Sequence, residues 1–347
     1  MPEPGAGSPA GSVRPAAGAG VVVGVDLGGT KTAAALVAAD GSPGPVHTAP
    51  TPAASGPEAV LDAVAALVTR VVTASGAPLR AVGVGAAGVI DAGRGVVVSA
   101  TETFRDWPGT DVAGGLAARL APLVAGPSAS GSSAVAPLVV VENDVDAHAA
   151  GEAWRGAAAG ARSALLVAVG TGVGGSVVLD GRPLRGAHHL AGEIGHAPVP
   201  GAEGLRCACG RPGHLEAVAA GPAIHRRYLA LGGDPASPDA RDVVARAGAG
   251  DELAARVVRE AGAAVGRAVA GVVTVLDPEV VVVGGGVASA GHLWWSALEG
   301  ALRGEVVDVL ADLPVLRAAL GDDAAVVGAA RNAWSALGAA APTAGRE

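Results

Sequence analysis

Runs of apolar residues alternate with glycine-rich turns along the chain. The segment "VVVGVDLGGTKTAAALVAADGS" predicts a strand, a glycine turn and a second strand. "ALLVAVGTGVGGSVVLDGRPL" repeats this design, and "LVVVENDVDAHAAGEAWRG" predicts a buried strand whose polar end begins a helix. A strand that ends at a triple glycine is predicted in "DPEVVVVGGGVASAG", with helices over 251–276 and in "AAVVGAARNAWSALG". The alternation predicts an α/β protein with two halves of related architecture.

Composition narrows the function classes. A length of 347 residues suits two domains, and a hydrophobic fraction of 50% can fill their cores. The net charge of −8 argues against a nucleic-acid partner. The longest uncharged runs are interrupted by Ser, Pro or Gly, so no membrane span is expected. The segment before Val21 has no signal-peptide pattern, and we expect disordered tails at 1–20 and 341–347.

The first glycine turn has the residue types that bind phosphate. It is not a P-loop, because Thr30 stands where that pattern needs lysine. In a strand-turn-strand unit, the backbone N–H groups of Gly28, Gly29 and Thr30 can face a phosphate, and Asp26 can hold water on Mg²⁺. An ordinary glycine-rich hairpin is the alternative interpretation.

Two further glycine turns strengthen a nucleotide hypothesis. The turn around Gly172 is expected to face the first one across a cleft and to hold phosphates with it. The triple glycine, Gly284 to Gly286, lets the backbone approach a flat base or a ribose. A glycine triplet after a strand is also typical of tight packing, so each turn alone is weak evidence.

Asn143 and Asp144 lie where a strand passes into a helix. A carboxylate there can accept a proton from a hydroxyl within hydrogen-bond reach. The alternative is that Asp144 caps the helix, which is a frequent role of Asp and Asn. The sequence leaves both roles open.

The segment "GEIGHAPVPGAEGLRCACGRPGHLEAV" contains both cysteines of the chain. Cys207 and Cys209 are too close for an ordinary disulfide, and two thiolates with the imidazoles of His196 and His214 are a suitable ligand set for tetrahedral zinc. Paired thiols of this kind also indicate the reducing cytoplasm. The competing interpretation is a mobile surface loop with incidental histidines. One or both of the glutamates Glu193 and Glu216 are candidates to bind ligand hydroxyls.

Eight motifs, in order, resemble the ROK group of sugar kinases and sugar-responsive repressors within the actin-like ATPase superfamily. They are "DLGGTKT", "GVGAAGVID", "ENDVDAHAAGE", "VGTGVGGS", "GEIGH", "CACGRPGHLEA", "LDPEVVVVGGG" and "GDDAAVVGAA". The resemblance extends from about Val21 to Leu337.

The resemblance implies an α/β fold of two actin-like (ribonuclease H-like) ATPase domains, with mixed sheets around a central cleft. The N-terminal domain is expected over 21–143 plus 324–340, because the last helix of the family returns to it. The C-terminal domain is expected over 144–323, with a zinc loop at 193–216.

The resemblance also implies residue roles. Asp144 matches the catalytic base, and Gly88, Asn143, Glu193, His196 and Glu216 match the sugar-binding positions. His196 would contact sugar and zinc through opposite ring nitrogens. ATP and Mg²⁺ are expected at Asp26, Gly28, Gly29, Thr30, Lys31, Thr171, Gly172, Gly284, Gly285 and Gly286. The expected structural zinc ligands are His196, Cys207, Cys209 and His214.

Two departures from the family pattern bear on these roles. The last zinc position is usually a cysteine, and here it is His214, which reaches farther and requires the loop to shift. In "GAAG" the family often has proline before the second glycine, Gly88, so the sugar loop is expected to be looser.

The function implied is ATP-dependent phosphorylation of a hexose, glucose being the expected substrate. Apart from the resemblance, we expect a homodimer in the cytoplasm. A kinase for an N-acetylated or amino hexose remains an alternative, as does a sugar sensor without turnover. A sugar-responsive repressor is disfavoured because the twenty residues before the first motif show no helical period. An NAD-dependent dehydrogenase is disfavoured because no dinucleotide fingerprint is present.

Overall fold

The computed structural model describes residues 20–101, 103–124 and 136–340. The predicted tails lie outside the described residues, apart from Gly20. The described residues form two compact units, one by those up to Gly151 together with those from Asp323 onward, and the other by Glu152–Asp322. The domain boundary expected after Asn143 therefore differs from the unit boundary by residues 144–151, which belong to a continuous helix.

Strands and helices alternate along the described chain. The strands are β1 (Val21–Leu27), β2 (Lys31–Leu36), β3 (His47–Pro50), β4 (Leu79–Ala86), β5 (Val89–Asp91), β6 (Val96–Ser99), β7 (Leu138–Asn143), β8 (Ser163–Val169), β9 (Val173–Leu179), β10 (Arg182–Pro183), β11 (Val280–Gly284) and β12 (Val315–Arg317). The α-helices are α1 (Pro57–Ser75), α2 (Val112–Leu120), α3 (Asp144–Arg155), α4 (Glu216–Ala219), α5 (Gly221–Ala230), α6 (Ala240–Gly248), α7 (Glu252–Leu276), α8 (His292–Glu305) and α9 (Ala324–Ala340).

The first unit contains a mixed sheet in the order β3-β2-β1-β4-β7. Strands β1 and β2 are antiparallel, as the strand-turn-strand prediction requires, whereas β1, β4 and β7 are parallel neighbours. Parallel strands end at the same edge, so the residues that follow β1, β4 and β7 share one edge of the sheet.

Helix α9 packs very closely on this sheet. A Cβ atom added at Gly24 would collide with the carbonyl oxygen of Val326, and one at Gly83 would collide with that of Ala329. Glycine in β1 and β4 is therefore required by the approach of the α9 backbone. Strand residues such as Val23 and Val25 belong to a core that also includes buried side chains of α1 and α2.

The second unit contains a mixed sheet in the order β10-β9-β8-β11-β12. The predicted repeat of the opening design is confirmed, because β8 and β9 are antiparallel across a Gly-Thr-Gly turn, while β8, β11 and β12 are parallel. Helices α7 and α8 pack together, and their apolar side chains form most of the buried core with those of β8 and β11. Within the described residues, no helix combines the length and apolarity needed to cross a membrane.

Candidate functional site

The turn between β1 and β2 carries the first group of predicted phosphate residues. The N–H of Gly28 donates to the carbonyl of Lys31 over 3.2 Å, which closes the turn. A phosphate bound here would therefore rely on the N–H groups of Gly29 and Thr30. Gly29 packs so closely on Thr103 that a Cβ would collide with its methyl group. Asp26 lies next to the last residue of β1, at the edge defined above.

The loop after β4 is held at two neighbouring carbonyl oxygens. The indole N–H of Trp107 donates to the carbonyl of Ala87 over 3.2 Å, and the side-chain amide of Asn143 donates to that of Gly88 over 2.9 Å. Trp107 is fully buried and stacks on Phe104 with ring centroids 4.9 Å apart. Gly88 has a φ of 110°, which a side chain rarely adopts. The loop lacks the proline that the family often has before Gly88, but these two hydrogen bonds restrain it.

Asn143 caps helix α3. Its side-chain oxygen accepts hydrogen bonds from the N–H of Val145 at 2.8 Å and of Asp146 at 3.2 Å, as an N-cap residue does. The Oδ1 atom of Asp144 lies 2.9 Å from the same Val145 nitrogen. The capping role considered for Asp144 therefore belongs to Asn143, and Asp144 contributes a half-buried carboxylate to the first turn of the helix.

The turn between β8 and β9 is fixed by its own backbone and by Glu216. The N–H of Gly170 donates to the carbonyl of Gly172, and Gly170 in turn accepts from the N–H of Gly221, both over 2.8 Å. Glu216 Oε2 accepts from the N–H of Val173 over 3.1 Å. A Cβ at Gly172 would lie 2.7 Å from that oxygen, so a side chain there would displace the Glu216 carboxylate.

The triple glycine combines one tightly packed position with one that is open to a cavity. Gly285 has a φ of 86°, and a Cβ there would collide with the backbone of Val169, so this glycine is needed for packing. Gly286 has open space around it and lines a cavity of about 690 Å³ within the second unit. The cavity combines apolar walls with a few polar groups, among them Thr171, His225, Asp239, Arg241 and Ser289. Such a lining suits a nucleoside-sized ligand.

The four predicted metal ligands come together. One ligand atom from each of His196, Cys207, Cys209 and His214 lies within 4.8 Å of the others. Cys207 Sγ is 3.6 Å from His196 Nδ1, and Cys209 Sγ is 3.3 Å from His214 Nδ1. Ligands on a tetrahedral zinc, with bonds of about 2.0 to 2.3 Å, would lie about 3.3 to 3.8 Å apart. The two Cys–His pairs fall within this range, and the whole set lies within 4.8 Å.

The loop that brings these donors together is short and cross-linked by its backbone. The N–H of Cys207 donates to the carbonyl of Arg211, and that of Leu215 donates to Ala197, both over 2.9 Å. Burial raises the pKa of the Cys207 thiol to about 12. A bound cation would counter this effect, because a coordinated thiol loses its proton.

The two glutamates flanking the loop differ in their surroundings. Burial raises the pKa of Glu193, partly offset by the nearby charge of His196. Glu216, the first residue of α4, uses both carboxylate oxygens. Its Oε2 accepts from the Val173 N–H, and its Oε1 lies 3.4 Å from Cys207 Sγ. Glu216 thus joins the metal-ligand loop to the turn after β8, a link that the sequence analysis did not foresee.

Each unit therefore assembles part of the predicted set. In the first unit, one edge of the sheet carries the predicted residues that lie at or beyond the ends of β1, β4 and β7. They are Asp26, Gly28, Gly29, Thr30, Lys31, Gly88, Asn143 and Asp144. In the second unit, Thr171 and Gly172 come after β8, while Gly284 ends β11 and is followed by Gly285 and Gly286; the two strands end side by side. The sequence analysis missed Trp107, although the signal was a tryptophan in a chain with 2% aromatic residues.

The chain is similar to known proteins over almost its whole length. The chain is 34% identical to a glucokinase of Thermotoga maritima, covering 89% of this chain and 96% of that protein. It is also 34% identical to an N-acetylmannosamine kinase of Escherichia coli, with coverage of 88% and 96%. The solved structure of a Streptomyces griseus ROK family glucokinase in complex with glucose and AMPPNP aligns with a TM-score of 0.73 and 31% identity, covering 91% of this chain and 100% of that one.

This likeness confirms the predicted α/β class with actin-like ATPase domains. The sequence model described as "ROK family" matches residues 22–335. The chain belongs to the ROK family.

Proposed function

We propose that this protein is an ATP-dependent sugar kinase that transfers the γ-phosphoryl group of ATP to a hydroxyl of glucose, giving glucose 6-phosphate. The observation that carries the proposal is the match to a glucokinase over 89% of this chain, combined with a helix start in which Asn143 provides the cap and Asp144 provides a carboxylate. The relative solved with glucose and AMPPNP supports the same pair of substrates.

Asp144 is the proposed general base. As the sugar hydroxyl attacks the γ-phosphorus, the carboxylate accepts its proton, and the bond to the departing ADP oxygen breaks. Phosphoryl transfer depends mainly on positioning and on charge neutralisation, so a carboxylate on a capped, rigid helix start is well suited to this step. Asn143 holds both that helix and the Gly88 loop, which we assign to the sugar.

The glycine turns are the proposed phosphate-binding segments. We assign Gly29 and Thr30 with Lys31 to one part of the triphosphate, and Thr171 with Gly172 to another. Asp26 would hold Mg²⁺ through water, and the ion would neutralise charge on the phosphate oxygens. The adenosine is assigned to the 690 Å³ cavity lined by Gly286.

Zinc is the proposed ion of the four-ligand cluster. His196, Cys207, Cys209 and His214 would hold it, and a site with four protein ligands keeps no open position for substrate. The role of the zinc is therefore to fix the loop between Glu193 and Glu216. We assign these two glutamates and His196 to binding of the sugar hydroxyls. Because Nδ1 of His196 faces Cys207, the other ring nitrogen is the one available to sugar.

We also propose that the enzyme works as a homodimer in the cytoplasm. Two closely spaced thiols without a disulfide support the reducing compartment. Light scattering on the purified chain measures the assembly directly.

The proposal is tested by ADP release over a panel of glucose, mannose, fructose, glucosamine, N-acetylglucosamine and N-acetylmannosamine, each at several concentrations. We expect the highest kcat/KM with glucose, and glucose 6-phosphate formed in equal amount to ADP. The Asp144→Asn variant is the control for contaminating kinases.

Two results would contradict the proposal in different ways. ADP release that no sugar stimulates would exclude a sugar kinase. A higher kcat/KM for N-acetylmannosamine than for glucose would keep the kinase and change its substrate, in line with the equally similar Escherichia coli relative.

A further inference from the structure

The carbonyl oxygen of Ala288 accepts two side-chain hydrogen bonds. The indole Nε1 of Trp295 donates over 2.7 Å, and the guanidinium Nη1 of Arg317 donates over 3.2 Å. Ala288 lies in the 3-10 turn Gly286–Ser289 that follows the triple glycine. Trp295 belongs to α8 and Arg317 is the last residue of β12, so three separate segments meet at one carbonyl.

The two donors also support each other. The Arg317 guanidinium carbon lies 4.3 Å from the centre of the Trp295 ring, a cation–π geometry. Trp295 is only 5% exposed, so its bond to Ala288 is shielded from water. Arg317 is exposed at the edge strand β12. We refer to Ala288, Trp295 and Arg317 as the Ala288 anchor.

The anchored turn forms one wall of the 690 Å³ cavity. Gly286, Val287, Ser289 and Ala290 all line it, and Ala288 lies between them. Because Gly286 has no side chain and open space around it, the position of this wall depends on backbone hydrogen bonds rather than on side-chain packing at that residue. The bond from Trp295 to Ala288 is buried, whereas the cavity face of the turn is open to a ligand.

We propose that Trp295 and Arg317 are positioning residues for the nucleoside part of ATP, acting through the Ala288 carbonyl on the wall of the cavity. This inference rests on the proposed function of that cavity. Without the anchor the turn gains freedom, and a nucleotide must restrain it on binding, so nucleotide affinity falls. Sugar affinity does not depend on this wall and stays unchanged.

The adjacent tryptophan offers a matched control. Trp294 is fully buried, and its indole Nε1 has no hydrogen-bond partner among the described residues. Trp294→Phe and Trp295→Phe therefore make the same chemical change at neighbouring positions, but only the second one removes a hydrogen bond. Arg317→Gln removes the cation, whereas Arg317→Lys keeps a positive charge and a donor.

The experiment measures the Kd of AMPPNP by calorimetry and the KM values for ATP and glucose. We expect Trp295→Phe to raise the Kd of AMPPNP about 5-fold, which corresponds to about 1 kcal/mol. Trp294→Phe should leave that Kd within about 2-fold, and neither variant should change the KM for glucose. Arg317→Gln should weaken AMPPNP binding, and Arg317→Lys should restore much of it.

A solely structural role predicts a different outcome. If Trp295→Phe lowers the Tm but leaves the Kd of AMPPNP unchanged, or if both tryptophan variants weaken binding equally, the positioning role is wrong. A wild-type protein that does not bind AMPPNP would overturn the nucleotide assignment of the cavity itself. The inference about the anchor and the proposed function can therefore fail separately.

Discussion

The side-chain amide of Asn143 donates to the carbonyl of Gly88 over 2.9 Å, while its side-chain oxygen accepts the N–H groups at the start of α3. One side chain thus fixes the loop after β4 relative to the helix start after β7. Since Asn143 performs the capping, a change at Asp144 can be made without removing the cap.

Asp144→Asn is expected to lower kcat about 10²-fold or more, because a positioned base is lost, and to leave the Tm close to that of the wild type. Steady-state kinetics and thermal unfolding measure the two effects. Asn143→Ala is the companion variant, for which loss of the cap should cost about 1 kcal/mol of stability. Near-normal turnover by Asp144→Asn would refute its role as the base.

The four-ligand cluster predicts one zinc per chain. Elemental analysis after purification without chelators should find it, and His214→Ala should lose it. His214→Cys should retain the ion, because a thiolate is an equally suitable zinc ligand. Protein that is free of zinc after gentle purification and still fully active would contradict the assignment.

Protonation of Asp251 is expected to destabilise the folded protein in acid. Asp251 caps α7 through the N–H of Ala254 at 3.0 Å and accepts the hydroxyl hydrogen of Tyr228 at 2.7 Å. The hydrogen bond from Ala254, which has the larger effect, and that from Tyr228 hold the pKa of Asp251 below the ordinary value of an aspartate. The stabilisation is therefore complete above the unfolded-state pKa of about 4 and disappears as the pH falls through the lower folded-state pKa.

Urea unfolding of the wild type and of Asp251→Asn measures this contribution. The wild type should be the more stable at pH 7, and the difference should shrink as the pH falls from 5 to 3. Asp312→Asn, the same change in an exposed loop, should show no such trend. A difference that stays constant over this range would mean that the Asp251 charge does not stabilise the fold.

Local sequence patterns predicted the alternating strands and helices well, the family resemblance supplied the actin-like architecture, and the two together predicted only part of the candidate site. The strands β1, β8 and β11 stand out as continuous apolar runs because nearly every residue in them is buried. The choice between cap and base could not be made, because Asn143 and Asp144 are adjacent and both types cap helices. The contacts of Glu216 with Val173 and of Arg317 with Ala288 join positions 43 and 29 residues apart. No periodicity along the chain encodes such pairs.

Two substitutions of Glu216 distinguish a role in binding the sugar from a role in holding the turn after β8. Glu216→Gln keeps an amide oxygen that can accept from the Val173 N–H, so the turn after β8 is preserved while the negative charge is lost. We expect this variant to raise the KM for glucose more than the KM for ATP. Glu216→Ala removes both functions and should raise both KM values.

The deoxy analogues of glucose test whether Glu216 accepts a sugar hydroxyl. A site built around a hydroxyl rejects an analogue that lacks it, since the buried acceptor is left unpaired at a cost of about 1 to 3 kcal/mol, and more when it is charged. Glu216→Gln should therefore narrow the gap in kcat/KM between glucose and the matching deoxyglucose. The zinc content of both variants must be measured as well, because Glu216 also contacts Cys207. If Glu216→Gln retains its zinc yet weakens glucose and ATP equally, Glu216 supports the turn alone and its assignment to the sugar is wrong.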